Sequence, residues 1–325
     1  MKAIVRYTYG SPEVLKLAEI ETPTPQPDEV LVKVQAASVN AIDWHMLRAD
    51  PFLARLDGGL LTPRKKILGF DVAGRVEAVG SAARQFRSGD EVFGNLFDQR
   101  GGAFAEYVAV PERLLVSKPA GLTFEQAAAV PMAAVTALRG LRDKGQIQPG
   151  QKVLINGASG GVGTFAVQLA KAFGADVTAV CSPGNVDLAR SLGADHVIDY
   201  TQEDFTRNGQ RYDLILAVNG YHPISAYRRA LSPAGSYVMA GGSTAQGFQA
   251  LLLGPWLSIR GDNKLGALET KPNRDDLDYV KGLLEAGKVA PVIDRTYALC
   301  DVPEAIRYLE AGHARGKVVI TLAAA

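Results

Sequence analysis

Lys152-Val-Leu-Ile-Asn-Gly-Ala-Ser-Gly-Gly-Val-Gly163, running on into Thr164-Phe-Ala-Val-Gln-Leu-Ala-Lys171, reads as a strand, a glycine turn and a helix. Val153, Leu154 and Ile155 form a short apolar run, whereas Val162, Ala166, Leu169 and Ala170 recur at helical spacing, so the period changes from two to about 3.6 across the glycines. A turn of this kind cradles a dinucleotide pyrophosphate. Gly160 and Gly161 carry no Cβ, so backbone N–H groups there, flanked by Ser159 and Val162, approach the phosphates at the positive end of the helix. Gly163 lets the helix pack closely on its strand, and Ala158 stands where the first glycine of the usual pattern would be.

Composition narrows the partners. The chain has 325 residues, 47 % hydrophobic and 21 % charged, which is enough for two domains with separate cores. Its 35 basic and 34 acidic residues leave a formal charge of +1, which gives no electrostatic reason to expect nucleic acid or an anionic membrane as partner. Arg64-Lys65-Lys66 reads as a solvated loop. Residues 1–20 lack an apolar signal core, and the apolar patch at Leu251–Leu253 is cut by Gly254-Pro255, too short to span a bilayer, so a soluble cytoplasmic protein is expected. Cys181 and Cys300 are the only cysteines and are expected to stay reduced.

Short strands and turns fill the first third: Lys2–Arg6, Glu29–Val34 and Asp71–Val79, with Pro23, Pro25 and Pro27 between the first two. From about Leu122 to Ala290 strand and helix alternate: strands at Val177–Cys181, His196–Ile198, Asp213–Ala217 and Ser236–Met239, helices at Val186–Leu192, Ile224–Leu231 and Asp275–Ala286. Alternation of this kind implies a parallel sheet with right-handed crossovers. The tail, with Val292–Tyr297, a helix at Val302–Ala311 and a strand at Lys317–Leu322, is expected to rejoin the first domain. The result is an α/β chain whose β-rich domain comprises residues 1–121 and 291–325 and whose doubly wound parallel-sheet domain comprises 122–290.

In order along the chain stand Asn40-Ala-Ile-Asp43, Leu68-Gly-Phe-Asp-Val-Ala-Gly74, Gly89-Asp-Glu-Val-Phe-Gly94, Gly102-Ala-Phe-Ala-Glu-Tyr107, the glycine turn, and Gly316-Lys-Val-Val-Ile-Thr321. Together they resemble the medium-chain dehydrogenase/reductase superfamily, specifically its zinc-independent quinone oxidoreductase branch, which includes ζ-crystallin-like quinone reductases and alkenal/enone reductases. The resemblance covers essentially the whole chain. It implies a GroES-like catalytic domain, a nicotinamide-binding Rossmann domain inserted within it, and an active-site cleft between the two.

The resemblance also locates the metal question. The positions of the catalytic zinc ligands in related alcohol dehydrogenases hold Asn40, Phe70 and Met132 here, and no cysteine lies near Asp90–Gly102, where a structural zinc would need four. The four histidines, at 45, 196, 222 and 313, form no cluster in the sequence, so no metal is expected. Without a Lewis acid, hydride donation to an electron-poor acceptor is the better reading than alcohol oxidation.

An NAD-preferring fold places an acid at the end of its second strand, about 20 residues past the glycines. That point reads Val180-Cys-Ser-Pro-Gly-Asn185 and holds none. Ser182 and Asn185 could both donate to a 2′-phosphate; two such bonds at roughly 1.5 kcal/mol each would favour NADPH by about a hundredfold. The family often has a basic residue in this turn, where Pro183-Gly184 stand, so dual use of NADH stays open. Tyr200 matches a family position lining the adenosine pocket, or is an ordinary strand-end tyrosine. Asn219 and Gly241-Gly242 end later strands on the same edge.

Near the hydride, the resemblance points to Asn40 as a donor to the ribose or the substrate carbonyl, unless it merely caps the following helix. His45 stands where the branch often has a tyrosine beside the nicotinamide, to orient substrate or deliver a proton, unless it is an exposed helix histidine. Thr136 matches a threonine packed on the nicotinamide. Asp43 is assigned to structure, and Trp44, Phe52 and Phe70 line an apolar cleft or belong to the core. The expected reaction is transfer of the C4 hydride of NADPH to a quinone or to the β-carbon of an α,β-unsaturated ketone, with protonation by water or His45. Alternatives are an enoyl-thioester reductase and a non-catalytic NADPH-binding sensor or structural protein. The apolar segment Ala250–Ile259 is expected to pair two subunits into a homodimer, or else to cover its own sheet.

Overall fold

The computed structural model describes residues 1–50, 52, 54–99, 101–220, 222–242, 246, 247, 249, 250, 262–268 and 273–322. The chain forms two compact units. The first contains residues 1–132, the helix Arg274–Glu285 and the tail from Pro291; the second contains 133–271 and Ala286–Ala290.

The first unit is organised by one long strand, Glu29–Val39, whose burial alternates at its start and becomes continuous at its end. Asp71–Val79 runs antiparallel to it along almost its whole length. Its other edge is shared: Tyr107–Pro111 pairs with Glu29–Lys33, and Lys317–Thr321 pairs with Ala36–Val39. The tail therefore closes the sheet beside residues near the beginning of the chain. Glu91–Asn95, Leu115–Ser117 and Ile293–Ala298 extend the seven-stranded sheet outward. Val30, Val32, Val34, Phe70, Val72, Phe104, Val318 and Ile320 fill its interior, each at most 2 % exposed.

The second unit is a six-stranded parallel sheet in the order His196–Asp199, Asp176–Cys181, Lys152–Asn156, Tyr212–Ala217, Leu231–Met239, Lys264–Ala267. The chain starts in the middle, winds outward to one side, and crosses back to build the other. Helices cover such a sheet on its faces, so its strands are apolar without alternation: Val153, Leu154 and Ile155, like Leu214, Ile215 and Leu216, are wholly buried. All six strands end on the same edge, and the order reverses between Asn156 and Ala217, where open α/β sheets bind ligands.

The first unit runs past the bound expected at 121/122, whereas the tail rejoins it at Pro291, where the second bound was expected. Helix Phe124–Ala128 packs on Glu29–Val39 and Asp71–Val79, so the first unit runs to Met132. Helix Arg274–Glu285 packs on Leu115–Ser117 and also belongs there. A helical period reports that one face is apolar and does not say which sheet that face will meet.

Two glycines test this packing. A Cβ at Gly163 would lie 2.1 Å from the Gly157 carbonyl oxygen, whereas one at Gly282, inside Arg274–Glu285, would meet nothing within 4 Å. Gly163→Ala is expected to destabilise the protein by about 1–3 kcal/mol through overpacking. Gly282→Ala should stabilise it by about 0.5–1 kcal/mol, because alanine loses less backbone entropy in a helix. Thermal and urea unfolding of the two variants should shift in opposite directions.

Candidate functional site

On the second unit, the glycine turn is held from both sides. Gly157 and Ala158 N–H groups donate to the Val180 carbonyl at 3.2 and 3.1 Å, and the Asn156 carbonyl accepts from Val218 and Asn219 at 2.9 and 3.2 Å. Gly157 has φ +87°, and a Cβ there would press on the Asn219 backbone at 2.8 Å. Gly157 is thus the glycine the turn requires, one position before the buried Ala158 that interrupts the usual pattern. The helix Gly161–Ala172 then starts from Gly160, which offers no side chain to cap it, and the space above Gly160 is open, with its nearest neighbour at 3.8 Å. The first-turn N–H groups, beside half-buried Ser159, Gly160, Gly161 and Val162, form the kind of cradle a pyrophosphate occupies. The residues present fit a dinucleotide.

The other expected cofactor residues follow the ends of neighbouring strands on this edge: Ser182 and Asn185 after Cys181, Tyr200 after Asp199, Asn219 after Ala217, Gly241 and Gly242 after Met239. Tyr200 is 60 % exposed, as a stacking surface requires. Ser182 and Asn185 are not two outward donors. Asn185 is buried and its Nδ2 donates to Ser182 Oγ at 2.9 Å, while its Oδ1 has no partner. With its oxygen accepting from Asn185, the Ser182 hydroxyl keeps its hydrogen for an outward partner. Thr136 is buried within the helix Pro131–Arg139.

Sequence reasoning missed what braces this edge. Asn156 Nδ2 donates to Tyr227 Oη at 2.8 Å, Tyr227 donates to the Gly220 carbonyl at 3.3 Å, and Gln246 Nε2 donates to Tyr237 Oη at 3.0 Å. Burial pushes the Tyr227 phenol up to about 12, so it stays a neutral donor. The only signal was a polar Asn156 ending an apolar strand. A separate cavity of about 370 Å³ is lined by Lys144, by Ser236, Tyr237 and Val238 of one strand and by Lys264 and Leu265 of the edge strand beside it.

On the first unit, Asn40 precedes the helix Ala41–Arg48. Its backbone N–H donates to Asp43 at 2.8 Å, but its side chain does not face outward. Nδ2 donates to Asp71 Oδ2 at 2.9 Å and to the Ser38 carbonyl at 3.4 Å, and Oδ1 accepts from Lys317. Asp71, wholly buried, also accepts from Ser38 Oγ at 2.9 Å, Asn95 Nδ2 at 3.0 Å and the Met132 N–H at 3.0 Å, with Lys317 Nζ at 3.7 Å. Burial raises the Asp71 carboxyl against the pull of Lys317, and lowers the Lys317 ammonium against the pull of Asp71 and Asp43. Asp43, wholly buried, accepts from Asn40 and from the Gly69 N–H at 2.9 Å; desolvation outweighs both bonds and lifts its carboxyl to about 7. Its assignment to structure fits these bonds.

His45 is half-buried and stacked on Trp44 at 3.6 Å. Its Nδ1 lies 2.6 Å from the Asp50 carbonyl, which can only accept, so Nδ1 carries a proton and Nε2 is the nitrogen left without one in the neutral tautomer. Phe70 is core, Trp44 packs on that core, and Phe52 is 63 % exposed. Met132 packs on the core too. Among the described residues no three His, Cys, Asp or Glu side chains gather as a metal site; Cys181 is buried, Cys300 exposed, and both are free thiols.

Two family models match the chain: the alcohol dehydrogenase GroES-like domain over residues 26–120 and the zinc-binding dehydrogenase domain over 192–320. The chain is similar to a chloroplastic quinone-oxidoreductase homolog of Spinacia oleracea, with 35 % identity over 96 % of this chain and 95 % of that one. It is also similar to a chloroplastic NADPH-dependent alkenal/one oxidoreductase of Arabidopsis thaliana, with 36 % identity over 98 % and 79 %. Among solved structures, the quinone oxidoreductase of Coxiella burnetii superposes with a TM-score of 0.88 at 32 % identity, covering 99 % of each chain.

The buried Asp43 predicts a pH effect on stability. Its folded carboxyl, at about 7, lies above its ordinary value near 3.8, so the folded state binds more protons in between. Its favourable contribution is complete below about 4 and lost as pH rises through about 7. Asp43→Asn should flatten the wild-type fall in thermal midpoint between these pH values. Parallel curves for the two proteins would contradict the assignment.

Proposed function

The chain belongs to the medium-chain dehydrogenase/reductase superfamily, within its quinone oxidoreductase branch, and from that premise we propose that it is an NADPH-dependent reductase of quinones or of the C=C bond of α,β-unsaturated carbonyl compounds. The observation that carries the proposal is the uncapped, glycine-lined helix start at Gly160, set where the strand order reverses. The names of the spinach and Arabidopsis relatives supply the acceptor class.

Bound NADPH supplies a hydride to an acceptor already electron-poor enough to need no Lewis acid. Ser159, Gly160, Gly161 and Val162 hold the pyrophosphate, Tyr200 the adenosine, and Asn219, Gly241 and Gly242 the dinucleotide along the sheet edge, with Thr136 packing against the nicotinamide. Ser182 donates to the 2′-phosphate. Asn185, turned inward, sets the Ser182 rotamer, and its partnerless Oδ1 would suit a ribose hydroxyl better than a phosphate. One donor rather than two lowers the expected preference to about tenfold, from roughly 1.5 kcal/mol.

His45 Nε2, the bare nitrogen, accepts a hydrogen bond and orders the water that delivers the proton; His45 itself donates from Nε2 only as imidazolium. Asn40 acts as a positioning residue, since its amide is committed to Asp71, Ser38 and Lys317. Zinc plays no part in this reading, because an amide so committed, a core phenyl ring and a thioether do not make a zinc ligand set.

We assign the catalytic role to the β-rich unit, a cytoplasmic location to the protein, and a homodimer built on the outermost parallel strand, Lys264–Ala267. Apart from the buried Ala250, the segment 250–259 lies outside the described residues. Among the described residues no helix is long and apolar enough to cross a membrane.

Loss of NADPH absorbance in stopped flow with quinones, enones and aldehydes tests the reaction, and turnover should survive EDTA. No turnover on any acceptor would refute it. NADPH should bind about tenfold more tightly than NADH, and Ser182→Asp should reverse that order by placing a carboxylate beside the 2′-position. Light scattering should give twice the 34.5 kDa chain mass; the monomer mass would refute the dimer.

A further inference from the structure

The overall charge of +1 conceals a local segregation in the first unit. Phe52, Leu56, Leu60 and Leu61 are 63, 68, 58 and 85 % exposed. They follow one another through a single stretch of chain, on and around the helix Ala54–Gly58. The Arg55 N–H donates to the Phe52 carbonyl at 3.0 Å, and the Gly59 N–H to the Arg55 carbonyl at 2.9 Å. The Arg55 guanidinium lies over the rings of Phe52 and Tyr9, 5.2 and 4.8 Å from their centroids, and Tyr9 Oη donates to the Gly59 carbonyl at 2.7 Å.

The basic residues border the same surface. The Arg64 N–H donates to the Gly58 carbonyl at 2.8 Å, bringing exposed Arg64, Lys65 and Lys66 beside the leucines. Lys66 Nζ stands 5.0 Å from the ring of Tyr7, itself 57 % exposed. Across 48–66 the sequence carries Arg48, Arg55, Arg64, Lys65 and Lys66 against Asp50 and Asp57 alone, and Arg48 is engaged by Glu310.

Single exposed leucines are ordinary, but four exposed apolar side chains between Phe52 and Leu61, followed at once by three exposed cations, mark a binding surface. Arg64, Lys65 and Lys66 sit on long stems that match a diffuse layer of negative charge, while the leucines match the hydrocarbon just beneath such a layer. We propose that this face docks on an anionic lipid bilayer, with Phe52, Leu56, Leu60 and Leu61 entering the boundary between headgroups and acyl chains and the basic residues staying at the level of the phosphates. The proposal does not depend on the reductase activity.

Sedimentation of the full chain with vesicles tests it, using phosphatidylcholine alone and phosphatidylcholine with about one third phosphatidylglycerol. Partitioning should be about tenfold or more stronger on the anionic vesicles and should weaken at high salt. Leu60→Ser with Leu61→Ser should abolish most binding at any salt. Arg64→Gln with Lys65→Gln should remove only the anionic preference. Both pairs face solvent and should leave the thermal midpoint in place; if the leucine pair lowers it, the Arg64/Lys65 pair and the salt dependence decide. Absence of binding to anionic vesicles, or binding unchanged in both double variants, would overturn the proposal. So would an oligomer that dissociates in the leucine variant without any vesicle binding, which would assign the face to a second copy of the chain.

Discussion

A carboxylate without solvent must be given partners, and Asp71 is the one around which the first unit is arranged. Transferring such an ion from water costs several kcal/mol even after relaxation, so removing one partner from a buried pair is far more damaging than never having built it. Asp71 draws donors from Ser38 and Asn40 at the end of one strand, from Asn95 at the end of another, and from the Met132 backbone, while Lys317 brings positive charge from the tail. Satisfying this one group therefore fixes three strand ends and the approach to the helix Ala41–Arg48. The same requirement turns Asn40 inward, because its oxygen must serve Lys317 and its hydrogens Asp71 and Ser38. His45 inherits its position from that anchored helix.

The second unit solves a different problem. A parallel sheet brings every strand end to one edge and leaves main-chain groups there to be satisfied by turns. The Asn156 and Val180 carbonyls each take two N–H groups from a neighbouring turn, so two loops from separate parts of the sequence are held against the strands beside them. Tyr227 and Gln246 complete this from beneath, with the Tyr227 phenol kept protonated by burial. The helix start at Gly160 is left uncapped by a side chain and open above, so positive potential from a helix end is available there to a ligand.

Local patterns were legible. The strand, glycine turn and helix at 152–171, the alternation that makes a parallel sheet, and the antiparallel strands around 29–39 and 71–79 all depend on residues close in sequence, whose spacing reports directly which face is buried. Gly157 was overlooked because the usual pattern directs attention to Ala158, and only the backbone angle shows which residue takes the left-handed turn.

What the sequence by itself determined was the fold class and the sheet edge where a cofactor would lie, which follow from periodicity and glycine placement, and the family likeness, which rests on the order of its motifs. The tertiary structure alone decided where the polar side chains spend their hydrogen bonds. Asn40 meets Lys317 across 277 positions, Asn185 folds back on Ser182 rather than outward, and the helix Arg274–Glu285 joins the unit that its neighbours in sequence do not. The physical reason is the same in each case. A polar group's partner is chosen by three-dimensional proximity and by the cost of leaving it unpaired when buried, and neither quantity is written in the spacing of residues along the chain.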